Sequence, residues 1–206
     1  MEEHIQSVTA LRYFGLSEAT DESARLDKDF AARLDQCTKC LTYKAPWEKI
    51  PVMLRYVPSG LSITFVWDTN LTLVSKDFLK VLNDALVAES GNLFQTFPVE
   101  VAGKKCLNYV GFRPRYFTTV RGSERVFHFD CPECGNVGYV AFGRRYLVEP
   151  IDRSVPLFSA GEGWVVVRGD IMQSMRLTDP NLVVEELTIE QSPYDGLPAD
   201  LRVSKK

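Results

Sequence analysis

Histidine is almost missing from this chain. Among 206 residues there are two, His4 and His128. Neither stands in a Ser-His-Asp, Cys-His or HExxH arrangement, so the usual general bases and metal-dependent hydrolytic centres find no footing. His128 alternates with Phe127 and Phe129 and reads as a structural strand residue. No phosphate-binding loop is present either. The glycines of "GEGWVVVRGD" at 161–170 lack the GK[ST] ending, and "SAGEG" reads as a turn before a strand. An enzyme is therefore not expected. No apolar run approaches the roughly eighteen residues needed to cross a bilayer, and the opening "MEEHIQSVTALRYFGL" lacks the basic, apolar, small-residue order of a secretory signal. The expectation is a cytoplasmic protein with no membrane partner. Low-complexity segments and long linkers are absent too, so residues 1–206 read as a single domain.

What is present can bury a core: hydrophobic residues make up 45% of the chain. The 24 basic and 27 acidic side chains leave a net charge of −3. That balance argues mildly against a dedicated nucleic-acid binder while permitting a local basic face.

Five cysteines are an odd number, and in a reducing compartment paired CxxC units read as thiolate ligands rather than disulfides. "CTKC" at 37–40 and "CPECG" at 131–135 each offer two sulfurs from one tight turn, and two such knuckles complete a tetrahedral zinc shell. Cys37, Cys40, Cys131 and Cys134 are the expected ligands. Pro132 prepares the second turn and Gly135 permits the positive φ that closes it, whereas Leu41 stands where the first knuckle would carry glycine. Four thiolates saturate the ion and leave no position for water, so this Zn2+ would be structural. Unligated cysteines and a redox CxxC are the competing readings. Cys106, in "GKKCLNYV", reads as a small core residue in a strand.

The pattern of elements implies an α+β fold built on a largely antiparallel sheet. "PVMLRYV" and "LSITFVWD", separated by "PSG", read as a hairpin, and strands fit "FPVEV", "LNYVGF", "RYFTTV", "RVFHFD" and "VGYVAFG". The last two flank the second knuckle as in a zinc ribbon. Residues 1–30 are polar and acidic, with "SEATDESARLDKDFAARL" able to form a short solvated helix. Two segments, 71–101 and 164–190, share a strand-helix-strand plan. In the first, Ser75 caps the helix, Asp77 lies in its first turn, and Phe78, Leu79, Leu82 and Leu86 face a core. In the second, Asp170 takes the place of Asp77, ahead of Ile171, Met172 and Met175. The layout is a polar segment at 1–30, a knuckle-bearing sheet at 37–150, a second strand-helix-strand unit at 151–190 and a flexible tail at 191–206.

Paired CxxC knuckles in a chain of this size, with the helix of "LVSKDFLKVL" and the closing "WVVVRGDIMQSM…NLVVEEL", resemble the bacterial double-CxxCG motif immunity proteins. The resemblance covers about residues 37–190, and Leu41 departs from its first CxxCG. It implies an antidote that binds and blocks a cognate toxin. Acidic residues suit such a partner, because a carboxylate surface speeds encounter with a cationic active site. Glu185, Glu186 and Glu190 are the candidate contacts. The alternative is a zinc-ribbon nucleic-acid-binding or regulatory protein, in which Arg113, Arg115, Arg121, Arg125, Arg144 and Arg145 hold phosphates between stacking aromatics. The same alternation also describes a half-buried sheet.

Overall fold

A computed structural model describes residues 12–18, 23–39, 43–44, 50–66, 69, 71–89, 92–118, 120–122, 126–130, 137–141, 145–148, 151–160, 164–175, 179 and 182–190. The elements in chain order are β1 (Tyr13–Glu18), β2 (Arg25–Leu26), α1 (Lys28–Ala31), β3 (Asp35–Gln36), β4 (Tyr43–Lys44), β5 (Val52–Tyr56), β6 (Ile63–Phe65), β7 (Thr72–Ser75) and α2 (Lys76–Ala85). There follow β8 (Phe94–Phe97), β9 (Val99–Val101), β10 (Lys104–Lys105), β11 (Tyr109–Pro114), β12 (Val120–Gly122), β13 (Val126–Asp130), β14 (Val137–Ala141), β15 (Arg145–Val148), β16 (Leu157–Ser159), β17 (Val165–Arg168), α3 (Gly169–Ser174) and β18 (Leu182–Glu190). The protein is a strand-rich mixed fold, and among the described residues the pairings are antiparallel except β5 with β9, β15 with β18 and two isolated bridges.

The longest helix forms for local reasons. Ser75 Oγ accepts the Phe78 amide at 3.1 Å, closing one of the four unpaired N–H groups of the first turn. Phe78, Leu82 and Leu86 then recur at helical spacing and are buried, with Leu79 packed partly against them.

The two strand-helix-strand units are built alike, strand by strand. One sheet runs β6-β7-β11-β8 and the other β16-β17-β1-β18, continuing to β15 and β12. Ile63 faces Val74 in one hairpin and Leu157 faces Val167 in the other. The helix caps Ser75 and Arg168 lie opposite Tyr109 and Tyr13. Gly111 faces Phe97 where Gly15 faces Glu185. Even the connecting bonds recur: Ser75 N donates to Ser62 O and Arg168 N to Pro156 O, while Lys76 N donates to Asn108 O and Gly169 N to Arg12 O.

Three cores follow from this layout. Leu26, Val52, Leu54, Leu71, Leu73, Phe97, Val99 and Tyr109 fill one unit. Tyr13, Val120, Leu147, Phe158, Trp164, Val166 and Leu187 fill the other. Between the units, corresponding residues share one cluster: Leu16 and Phe112, Ile63 and Leu157, Val74 and Val167, Phe78 and Ile171, and Leu82 and Met175 are all members of it. Each such aliphatic or aromatic side chain contributes about 1.5–3 kcal/mol when fully buried.

Three local expectations are corrected. "PVMLRYV" and "LSITFVWD" are not a hairpin: β5 pairs with β2 and β9, and β6 with β7. Val52 and Leu54 serve one core and Ile63 another, so the "PSG" stretch carries the chain between sheets, with Gly60 at φ 79°. "RYFTTV" is not one strand, because Arg115–Tyr116 bend and Phe117 makes only an isolated bridge to Ser159 before β12 begins at Val120. The acidic beginning of the chain is not wholly a solvated face. β1 lies between β17 and β18, with Tyr13 and Leu16 at 0% exposure. The tail beyond 190 lies outside the described residues.

Arg168 locks the second unit onto the first. Its guanidinium, 13% exposed, donates to both carboxylate oxygens of Asp170 at 2.7 Å, to Glu89 and to the Ser154 carbonyl. The hydrogen bonds from Arg168 hold the Asp170 carboxyl below its usual value of 3.8. A lowered folded pKa contributes stability that is present above the unfolded value and lost as pH falls through the folded one. Asp170→Asn is expected to lower stability at pH 7 and to flatten the loss that sets in as pH falls below the ordinary carboxyl value of 3.8, read from urea midpoints. Arg168→Met, which leaves Glu89 and Asp170 without their cation, is expected to cost about 1–3 kcal/mol.

Candidate functional site

The two cysteine pairs fall, in sequence, between corresponding pairs of strands. In the first unit β3 ends at Gln36 and β4 begins at Tyr43; in the second β13 ends at Asp130 and β14 begins at Val137. Six residues therefore stand between the strands in each case, with cysteines first and fourth. Gln36 pairs with Tyr43 as Asp130 pairs with Val137, so the registers agree. Cys37, directly after β3, is 2% exposed. Cys40, Cys131 and Cys134 lie outside the described residues. Among the described residues no cluster of three or more His, Cys, Asp or Glu side chains is found. His128 lies on β13 opposite Tyr139, and His4 is outside the described part. Cys106 lies in the connection between β10 and β11 and packs against the first core.

The acidic candidates divide between the two faces of β18. Glu186 and Glu190 lie on one face and are exposed; Glu186 pairs loosely with Arg12 at 3.5 Å, and Glu190 accepts from Thr188. Glu185 points to the other face, against the second core. There Arg145 Nη1 donates to it at 2.8 Å, and the Arg145 guanidinium lies 4.7 Å from the centre of the Trp164 ring. Two residues expected to serve rival functions are thus each other's partners. The link depends on the parallel pairing of β15 with β18, which no local sequence pattern announces.

The remaining arginines do not line one strand. Arg113 lies on β11 with its guanidinium 5.8 Å from the Phe97 ring, and Arg115 is exposed in the bend that follows. The backbone of Arg121 is in β12, facing Tyr146. Arg125 and Arg144 lie outside the described residues. Of the aromatics interleaved with these arginines, Phe112 is buried, while Tyr116 is 45% and Phe117 54% exposed. Their exposure comes from the bend, since a strand here would have turned one of them inward.

A groove of about 310 Å³ opens beside α2, lined by Asn83, Leu86, Val87, Glu89, Asn92, Leu93 and Phe94. Glu89, the one charged group in its wall, is held by Arg168. No described helix is long and apolar enough to cross a membrane. No protein-family model matches the chain, and no curated protein matches it.

Proposed function

We propose that this chain is an immunity protein that binds and neutralises a cognate bacterial toxin in the cytoplasm, acting by stoichiometric complex formation rather than by catalysis. The reading rests on the resemblance carried by the two cysteine pairs. The observation that most supports it is the place of those pairs in sequence, in six-residue intervals between corresponding strands of two similar units. A tetrahedral ion held by two like knuckles has a two-fold axis. One Zn2+ held by Cys37, Cys40, Cys131 and Cys134 therefore suits two halves related in this way, and its role would be to join them. Function then belongs to the exposed surface. Glu186 and Glu190 are better contact candidates than Glu185, which is occupied by Arg145. Pairing between Arg145 and Glu185 also counts against a phosphate-binding strand.

Co-expression with the toxin encoded beside it is expected to restore growth, and the purified pair to form a complex of roughly nanomolar affinity. Glu186→Lys with Glu190→Lys should slow association more than it speeds dissociation. No rescue, together with micromolar, salt-dependent binding to generic DNA or RNA, would transfer the assignment to nucleic acid.

A further inference from the structure

The matching of the two units extends beyond the strand-helix-strand segments, in sequence order, to most of the described elements, α1 and β10 excepted. Each half begins with a strand of related sequence, "YFGLSE" in β1 and "YVGFRP" in β11. Ala24 N then donates to Phe65 O, and Thr118 N to Ser159 O, both at 2.9 Å. Leu26 faces Leu54 and Val120 faces Leu147. Cys37 follows Ala24 by thirteen positions, and Cys131 follows Thr118 by thirteen. β5 runs parallel to β9, as β15 does to β18, with Leu54 opposite Val101 and Leu147 opposite Ile189. The hairpins β6-β7 and β16-β17, the helices and the final strands complete the series. Chance similarity of strand-helix-strand units does not produce corresponding residue partners in so many of the paired strands.

We infer that the chain is an internal duplication, residues 13–101 followed by 109–190, whose halves have exchanged their leading strands. β1 belongs by sequence to the first half yet lies between β17 and β18 of the second. β11 belongs to the second half yet lies between β7 and β8 of the first. Each half thus presents a slot for a strand with an aromatic residue, a glycine two places on and a large apolar residue after it. The partner that fits the slot is the other copy of the same unit, here fused into one chain. The glycine has a physical reason in both. A Cβ on Gly111 would lie 3.1 Å from Phe97, and one on Gly15 would lie 2.2 Å from the Trp164 ring. Both slots admit a strand only where its backbone comes close to an aromatic ring.

The register supplies a test on the full chain. Ser17 faces Val183 in the exchanged arrangement. If β1 stayed in its own half, Ser17 would take the place of Arg113 and face Gln95. A protease site is inserted in the exposed Ala102–Gly103 turn, and the folded protein is cut there after mild oxidation. In the Ser17→Cys/Val183→Cys variant, a disulfide should keep the two fragments together on a denaturing gel without reductant. In Ser17→Cys/Gln95→Cys both new cysteines lie in the first fragment and should remain free thiols, and the parent oxidised alongside sets the background from the native cysteines. Separation of the fragments in the Val183 variant, with a disulfide formed inside the first fragment of the Gln95 variant and read as loss of its free thiols, would overturn the exchange. So would cut halves that part from one another under native conditions.

Discussion

Gly15→Ala is expected to cost about 3 kcal/mol and Gly15→Val enough to abolish the cooperative unfolding transition. The added Cβ would stand 2.2 Å and 2.4 Å from Cζ3 and Cε3 of Trp164, and 3.3 Å from Leu187 Cδ1. Neither neighbour is placed to withdraw, since Trp164 is 8% exposed and carries the Arg145 guanidinium on its face. The strand cannot shift to relieve the clash either. A one-residue slip of β1 would turn Tyr13 and Leu16 to the wrong cores. The corresponding glycine provides a graded control. Gly111→Ala places its Cβ 3.1 Å from Phe97, a distance that a small movement of the ring relieves, so about 1 kcal/mol is expected. Trp164→Leu, which installs the residue found at the corresponding Leu71, should recover most of the stability lost in Gly15→Ala. Urea denaturation of the single and double variants checks this, and an unchanged midpoint for Gly15→Ala would refute the close approach of ring and backbone.

Cys131→Ser with Cys134→Ser is expected to remove bound zinc from about one equivalent per chain to less than a tenth, and to lower thermal stability strongly or prevent soluble expression. Structural zinc sites of this class contribute on the order of 10 kcal/mol of apparent binding free energy at neutral pH. That exceeds what a single buried side chain supplies. Cys37→Ser with Cys40→Ser should have an effect of the same size if one ion is shared, whereas two independent sites would each lose only half the metal. Elemental analysis of protein purified without chelator separates the cases. Metal-free wild-type protein with unchanged stability would remove zinc from the proposal. Cys106→Ser is the control and should leave the zinc content as it was.

The parts of this fold that were legible in the sequence are those whose causes are local. Ser75, Asp77 and the spacing of Phe78, Leu82 and Leu86 specify α2 without outside help, and the strands on either side of "CPECGN" stand where their alternation put them. The likeness of 71–101 to 164–190 was visible because each pairs an apolar strand with a helix carrying the corresponding Asp77 or Asp170. It could not be extended to the full halves from sequence, since the segments 24–44 and 118–138 share only their cysteines. "PSG" misled because the turn chemistry of a hairpin also suits a crossover between sheets. β1 was hidden for another reason. "YFGLSE" is half polar and borders an acidic stretch, and the partners that bury it lie at 165–168 and 182–187. Glu185 and Arg145 looked like surface charges because nothing within forty residues of either indicates the parallel pairing that joins them.

The position of β1 also sets an order of events during synthesis. By the time Val101 has left the ribosome, every other strand of the first half exists. Its slot between β7 and β8 nevertheless stays open until Pro114 emerges, and β1 finds no partner until β17 and β18 have been made some 150 residues after it. Pairings so distant in sequence close slowly, because the intervening chain must be ordered before they reward it. Throughout that interval the nascent chain carries an unpaired strand, "RYFGLSE", and half-built sheets with open edges, the species on which chaperones act. Glu18, the last residue of β1, and Asp21 and Glu22 shortly after it in sequence put like charges at that strand in every polysome-bound copy, so neighbouring nascent chains repel one another where they would otherwise pair.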